Sequence, residues 1–403
     1  MIAWNIRPIA SALWRNRTGA TLVALQIAIG LAVLVNAVYV VKQRVDKIGR
    51  PTGMDIDNVF VVGSAGFAKD FDYRATLTED LAYLRSLPGV VAATPSGSIP
   101  LSGGGSASTI TNVPNKADGE ATATFEMDEQ SIAALGVTLA AGRPFDAQEI
   151  LPPTQSSEFV PQVILTKALA KVLFPPDGNA LGKTVYDNLN SPAIVIGVIE
   201  QMHGTWVNWD ALEHVTLFPR LPNGPNVVYL VRAKPGQRDA LMRTIEEHMG
   251  SSNPGRLLRW VRTLNYFKDN SYLDDRNMAI FLVTVTAALL AITALGIFGL
   301  ATFNVSTRIR QIGTRRAVGA RRTDIVRHFL IENWMVTSAG VVVGAGLALA
   351  IGYWLSVKYE LPRLDLYYLV GGFMTVWILG LLAAWQPARR ASAISPAVAT
   401  RTV

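Results

Sequence analysis

The stretch GATLVALQIAIGLAVLVNAVYVV, residues 19–41, decides the fold class of this chain. Its 23 residues carry no charge, and a helix that rises about 1.5 Å per residue crosses the roughly 30 Å of bilayer hydrocarbon with that length. Lys42-Gln43-Arg44 follows where a cleaved signal peptide would have small residues, so we expect an uncleaved anchor. The chain is therefore predicted to be a membrane protein.

Three further uncharged runs are long enough to span a bilayer. They cover residues 277–307, the interval between Glu332 and Lys358, and the interval between Asp365 and Arg389. With half of its 403 residues hydrophobic, the chain is too apolar for an ordinary soluble protein. The predicted fold class is integral membrane α-helical, with four transmembrane helices at residues 19–41, 278–305, 333–357 and 366–386, and a large α+β extracytoplasmic domain.

That domain is assigned to residues 42–277, where short β-type runs alternate with amphipathic helical stretches. The predicted strands are residues 58–62, 162–166, 193–199 and 226–231. The predicted helices are residues 76–86, 167–173 and 236–248. About 236 residues can bury one large core or two modest cores, and we expect a domain of two lobes.

The arginines and lysines indicate which side each segment occupies, because basic residues in short flanking segments resist translocation. Residues 1–18, an amphipathic N-terminal segment, carry three arginines and no acid, and the 306–330 segment carries seven arginines against Asp324. The tail, residues 387–403, adds three arginines, whereas residues 42–277 contain 22 basic and 26 acidic side chains. We expect these three basic segments and both termini in the cytoplasm, with residues 358–365 as a short external loop. The net charge of +7 then reflects topology and predicts no nucleic-acid partner.

The sequence shows no motif for catalysis or metal binding. Cysteine is absent, and His203, His214, His248 and His328 have no metal-ligand spacing. The run from Gly178 to Thr184 has one residue too few between its glycines for a phosphate-binding loop. We therefore predict no catalytic residue and no metal site in this chain.

Small and polar residues within the spans suggest close helix contacts. Glycines let helix backbones approach, and buried amides can hydrogen-bond a neighbouring helix. The candidates for transmembrane packing are Gln26, Asn36, Gly296, Gly299, Gly340 and Gly344.

The stretch STRIRQIGTRRAVGARRTDIVRHFLIE, residues 306–332, is the most informative for function. Ile309, Ile312 and Val318 are apolar among seven arginines, and Gly319-Ala320 interrupts the run before a second helix leads into span three. A cationic amphipathic segment of this kind has two interpretations: it lies on anionic lipid, or it binds a partner.

The amino-acid sequence of this stretch resembles that of a known family. IGTRRAVGA at residues 312–320, followed by Asp324-Ile325, resembles the signature of the MacB/FtsX-type permeases, the type VII ABC transporters. The tail PARRASAISPA at residues 387–397 is similar to the family's closing segment, and LRSLPGV at residues 84–90 and AGRPF at residues 141–145 are similar to its periplasmic core domain. One span before the domain and three after it match the family's order. Gln311 departs from the pattern, because many relatives carry glutamate there.

The resemblance implies a non-catalytic permease whose motion is driven by a separate ABC ATPase dimer, which would bind ATP and Mg in place of this chain. It implies as further partners a second permease copy or paralogue, a periplasmic adaptor and an outer-membrane channel. The residues expected to couple to the ATPase are Arg308, Arg310, Gln311, Ile312, Gly313, Arg315, Arg316, Ala317, Gly319, Ala320, Arg321 and Arg322.

The function implied is mechanotransmission from the ATPase to the outer domain, with export or efflux of a periplasmic substrate, in a bacterial inner membrane. Two alternatives use the same machinery, namely lipoprotein release and regulation of cell-wall hydrolases. An alternative of another class is a transmembrane sensor, which would need an output module that the cytoplasmic segments do not encode.

Overall fold

The computed structural model describes residues 17–116, 118–153, 160–188, 190–359 and 364–394. The described residues divide into two compact units, a membrane unit of those up to residue 49 and from residue 275 onward, and an outer unit of those between residues 50 and 274. The predicted N-terminal segment up to residue 16, part of the external loop and the end of the tail lie outside the described residues.

The described helices and strands follow each other in mixed order along the outer unit, with long helices at both ends. The helices are α1 (Arg17–Ile48), α2 (Tyr73–Ser86), α3 (Ser131–Leu135), α4 (Lys167–Leu173), α5 (Arg238–Ser251), α6 (Leu264–Ser271), α7 (Leu273–Thr307), α8 (Ile309–Ala317), α9 (Arg322–Tyr359) and α10 (Leu366–Ala393). The strands are β1 (Val59–Gly66), β2 (Val90–Ser96), β3 (Ser106–Thr111), β4 (Glu120–Met127), β5 (Leu139–Gly142), β6 (Gln162–Thr166), β7 (Thr184–Asp187), β8 (Pro192–Ile199), β9 (Val215–Pro219), β10 (Asn226–Ala233) and β11 (Arg256–Thr263).

The fold-class prediction is confirmed, since α1, α7, α9 and α10 are each long and apolar enough to cross a membrane. They are also longer than the predicted spans. Residues 42–48 continue α1, residues 322–330 belong to α9, and residues 387–393 continue α10 with Pro387 inside the helix. Charged side chains mark the edge of the hydrocarbon. Lysine and arginine are nevertheless good helix formers, so the helices extend past that edge.

Helix α1 is the most enclosed of the four. Within its most apolar 18-residue window 56% of residues are buried inside the chain, against 17% in α7. Its side chains Ile27, Leu31 and Val35 form a core with Val336 of α9 and Val376 of α10. Helix α7 therefore presents most of its apolar surface to its surroundings.

An ion-pair cluster ties α1 to α7 where both continue beyond their apolar stretches. Arg44 and Lys47 of α1 both pair with the buried carboxylate of Asp275 in α7, the lysine at 2.9 Å. At about 1.5 Å per residue these two helices are roughly 48 and 52 Å long, well over the hydrocarbon thickness. The two helices that lead into the outer unit are thus joined at that end.

The first lobe of the outer unit is a four-stranded antiparallel sheet in the order β11-β1-β10-β2. Helices α2 and α5 cover one face, and their Leu84 and Ile245 pack with Phe60 and Val231 of the sheet. Arg85 at the end of α2 pairs with the buried Asp128. Burial raises the pKa of the Asp128 carboxyl to about 6, against the opposing effect of Arg85.

The second lobe is a mixed sheet in the order β5-β8-β6-β9-β4-β3-β7. Because β7 also pairs with β8, six of these strands close into a ring. Its core contains Ile110, Val163 and Val195, with Leu169 of α4 packed against them. The outer unit is therefore α+β with two lobes.

Candidate functional site

The arginine-rich segment folds into a small structure that we term the connector, residues 308–322. It consists of α8, a turn and the first residue of α9. Ile312 of α8 is buried against Ile325 and Phe329 of α9 and against Ala388 and Ala391 of α10. The apolar stripe that the sequence places among the arginines thus packs on the two following helices.

Gly319 ends α8 in a left-handed conformation, with φ of +100°. The backbone N–H of Ala320 donates to the carbonyl of Arg315 at 3.0 Å, and that of Gly319 donates to the carbonyl of Arg316 at 3.1 Å. These two bonds define a Schellman motif, in which glycine avoids the steric cost of a Cβ atom. Gly319 is therefore explained by the sharp reversal between α8 and α9.

Arg308 anchors the start of the connector. Its guanidinium Nη1 donates to Oε2 of Glu332 at 3.0 Å, and the glutamate side chain is only 5% exposed. A buried carboxylate needs such a partner, since an isolated charge in an apolar interior is strongly unfavourable. One signal for this pair was present in the sequence, an acid at the edge of an otherwise apolar run, but the predicted site residues did not include Glu332.

Arg316 anchors the other end of α8. Its Nη1 donates to the backbone carbonyls of Ser392 and Ile394, both at 2.9 Å. These carbonyls lie at the C-terminus of α10, where the last four have no partner within the helix and where a cation is favoured. The Arg316 side chain therefore faces inward and caps α10, and its role in coupling to an ATPase stays a prediction.

The remaining polar side chains of the connector point outward. Arg310, Gln311 and Arg315 are exposed on α8, and Arg321 and Arg322 are exposed at the start of α9. Ala317 at the end of α8 and Gly319 in the turn are also exposed. Asp324 accepts a hydrogen bond from the backbone N–H of Arg321 at 2.9 Å, which caps α9. Of the predicted coupling residues, Ile312, Gly313, Arg308 and Arg316 form the packed face, Ala320 sits partly buried beside them, and the others form an open cationic face.

Close helix packing in the membrane unit involves Gly340 and Gly344 of α9. A Cβ atom at these positions would lie 2.6 Å from the backbone oxygen of Ala24 and 2.8 Å from that of Ala28, both in α1. The Asn36 side chain donates to the carbonyl of Ala348 at 3.1 Å, which links the same two helices. These three residues thus lie in the α1–α9 contact.

Gln26 and Gly296 form a separate contact between α1 and α7. A Cβ atom at Gly296 would lie 2.5 Å from Oε1 of Gln26. Gly299 differs from the expectation, because a Cβ there would meet no atom within 4 Å and the residue is exposed. Gly299 therefore makes no close helix contact within the described chain.

Three of the four histidines have different surroundings. His203 is buried with Glu213 at 3.6 Å, His248 stacks on Tyr83, and His328 is in α9. Within the described ranges, no three His, Asp or Glu side chains come together in a way that could hold a metal ion.

Comparisons with known proteins match both parts of the chain. The model of the MacB-like periplasmic core domain matches residues 19–248, and the model of the FtsX-like permease C-terminal region matches residues 283–396. The second match includes the connector.

Curated relatives match over different lengths. The macrolide export ATP-binding/permease protein MacB of Escherichia coli strain K12 is 26% identical over 96% of this chain, and that of Bartonella quintana is 26% identical over 67%. The chain spans 58% and 41% of the lengths of these two relatives.

A solved domain of a permease protein from Porphyromonas gingivalis matches 51% of this chain and 89% of its own, at 15% identity and a TM-score of 0.30. The family matches together cover most of the chain and agree with its four apolar helices and α+β outer unit. This chain therefore belongs to the family of MacB- and FtsX-like ABC transporter permeases.

Proposed function

We propose that this chain receives ATP-driven movement from a separate ABC ATPase at the connector and passes it to the outer unit, which acts on a substrate in the periplasm. The observation that carries the proposal is the division of the connector into a fastened face and an open cationic face. The chain itself would bind no nucleotide and catalyse no reaction.

The open face suits an acidic or polar protein surface. Arg310 and Arg315 are exposed on α8, next to the exposed Gln311, and Arg321 and Arg322 extend the positive charge across the turn. The carboxylate of Asp324, on the same face, is engaged by the backbone of Arg321. Opposite charges across an interface favour association and fix its orientation.

The fastened face gives a route for force. A push on α8 would reach α9 through the Arg308–Glu332 pair and the Ile312 cluster, and would reach α10 through Arg316. Helix α9 in turn contacts α1 closely at Gly340 and Gly344. Packed helices move as bodies rather than deforming continuously, so movement at the connector would shift the bundle.

Export of a periplasmic substrate through an adaptor and an outer-membrane channel is the output we propose. The relatives named as macrolide export proteins support this choice. Two permease copies, or this chain with a paralogue, would sit above the ATPase dimer.

The proposed orientation places the connector and both termini in the cytoplasm and the outer unit in the periplasm. Because the chain has no cysteine, single-cysteine variants report one position each. In intact spheroplasts, an impermeant maleimide should label Lys171→Cys in the outer unit and should not label Gln311→Cys until the membrane is opened. Labelling of Gln311→Cys in intact spheroplasts would overturn the orientation.

The docking role is tested by charge reversal on the open face. We expect the Arg310→Glu/Arg315→Glu variant to lose co-purification of an ABC ATPase, identified by mass spectrometry, without a change in thermal stability. Arg276→Glu is a control, since this exposed arginine lies at the far end of α7. Undiminished recovery of the ATPase with the double variant would contradict the proposal.

A further inference from the structure

A cavity of about 970 Å³ opens between α9 and α10 beside the connector. Its volume is at the upper end of the ~300–1,000 Å³ that is typical of ligand sites. The residues that line it are Arg322, Thr323, Val326, Arg327, Leu330, Ile331, Trp334 and Met335 of α9, with Leu381, Trp385, Arg389, Ser392 and Ala393 of α10. We term this cavity the α9–α10 groove.

The groove is polar at one end and apolar at the other. Trp334 follows Arg322 by twelve residues on α9, so the two lie roughly 18 Å apart along the axis, and Leu381 lies about 12 Å from Arg389 on α10. The uncharged runs of these helices begin after Glu332 and end before Arg389. The groove therefore extends from the arginine-rich ends of the helices into the outer part of the hydrocarbon, where Trp334 and Leu381 lie.

The charges in the groove have one sign. Three of its lining residues are arginines, and no acidic residue occurs among those that the structure describes. The Arg389 guanidinium lies 5.8 Å from the centre of the Trp385 ring, which holds a cation above an aromatic wall. Tryptophan at this depth is typical of the boundary between headgroups and hydrocarbon.

We propose that the α9–α10 groove binds an anionic phospholipid of the leaflet on the connector side. Arg322, Arg327 and Arg389 would contact the phosphate and headgroup, and Trp334, Leu381 and Trp385 would line the acyl chains. Basic pockets between membrane helices select anionic headgroups in this way. A neutral lipid would bring no net charge to the arginine end, and a soluble protein surface would not fill the apolar end.

Such a lipid would contact both helices to which the connector is fastened. Its retention would therefore stabilise one arrangement of α9 and α10, and the anionic lipid content of the membrane would influence the transporter. This consequence rests on the proposed function, but the binding itself does not.

Native mass spectrometry of the full chain in micelles that hold equal amounts of phosphatidylglycerol and phosphatidylethanolamine, with identical acyl chains, tests the proposal. The wild type should retain phosphatidylglycerol in preference to the neutral lipid. Arg322→Gln/Arg389→Gln should weaken phosphatidylglycerol binding roughly 30-fold, at about 1 kcal/mol per arginine.

The chain offers a matched control. Arg321→Gln/Arg390→Gln removes the same two charges from exposed neighbours outside the groove, and should retain the lipid like the wild type. Equal binding of both lipids to the wild type, or equal losses in the two double variants, would overturn the proposal. So would loss of ATPase co-purification in Arg322→Gln/Arg389→Gln with unchanged lipid retention, because the groove would then belong to the ATPase interface.

Discussion

Arg316 gives the sharpest prediction, because the sequence places it beside Arg315 in one basic run while the structure gives the two side chains different roles. We expect Arg316→Gln to destabilise the membrane unit and to free the C-terminal turn of α10. The variant loses two hydrogen bonds, from Nη1 to the carbonyls of Ser392 and Ile394, each 2.9 Å long.

The magnitude follows from these two bonds. Hydrogen bonds from a charged donor contribute about 1.5–3 kcal/mol each when buried. Arg316 is half-buried, and water can replace part of what is lost, so we expect about 2 kcal/mol in total. For a unit of this size each kcal/mol shifts the unfolding temperature by about 2–4 °C, which gives a decrease of about 4–8 °C.

Two measurements test the prediction on the full chain in detergent. A thermal melt should show the decrease, and hydrogen–deuterium exchange should show faster exchange in the peptide that contains residues 388–394. Arg316→Lys keeps the charge near the helix end and should lie between the wild type and Arg316→Gln.

Arg315→Gln is the matched control, because it removes the same charge from an exposed side chain one residue away. Its effect on stability should be below about 0.5 kcal/mol, as for other surface substitutions. Equal shifts in the melts of the two variants, or unchanged exchange at the end of α10 in Arg316→Gln, would refute the capping role.

Three further predictions concern other fixed points of the fold. Arg308→Ala should destabilise the chain by about 3–5 kcal/mol, because the buried Glu332 loses its partner. In thermal melts, the double variant Arg308→Ala/Glu332→Leu should recover much of this stability. Additive losses from the two substitutions would contradict the pairing. Gly319→Ala should lower the free energy of unfolding by about 1 kcal/mol, since φ is +100° at this position. Gly319→Asn should lower it by less. Equal unfolding temperatures for the wild type and both variants would show that the turn between α8 and α9 tolerates any residue. The pKa of Asp128 is raised to about 6 in the folded chain, so the folded state holds this proton more tightly than the unfolded state does. The resulting stability is fully present below about pH 4 and is lost as the pH rises through about 6. The free energy of unfolding should fall by up to about 3 kcal/mol over this range. Asp128→Asn should remove this dependence from melts of the full chain between pH 4 and 7, and an unchanged slope would assign it to another group.

The sequence predicted the membrane helices well because the physical requirement is local. A bilayer needs about 20 consecutive apolar residues per helix whatever the rest of the chain does, and the confirmed class of four spans follows from that alone. The ends of the helices were harder to predict from the sequence. Lys42 and Arg44 end the apolar run, but both are good helix formers, and α1 continues to Ile48.

Strand prediction in the outer unit succeeded only in part. Each of the four predicted strands overlaps an observed one, in β1, β6, β8 and β10, and these are apolar runs whose own composition favours strand. Strands such as β3 and β7 are polar or short, and their pairing with partners distant in sequence determines them. Closure of the second sheet into a ring likewise depends on contacts that no local pattern encodes.

The sequence by itself determined that this is a four-span permease of a known family with a basic segment between its second and third spans, because hydropathy, charge and motif are properties of the chain. Only the tertiary structure decided which arginines of that segment face inward. The seven arginines of that segment are alike in sequence. They become distinct only when Glu332 and the carbonyl end of α10 come close enough to accept hydrogen bonds from Arg308 and Arg316. For the same reason the α9–α10 groove was not predictable, since its arginines and tryptophans come from two helices that tertiary packing brings together.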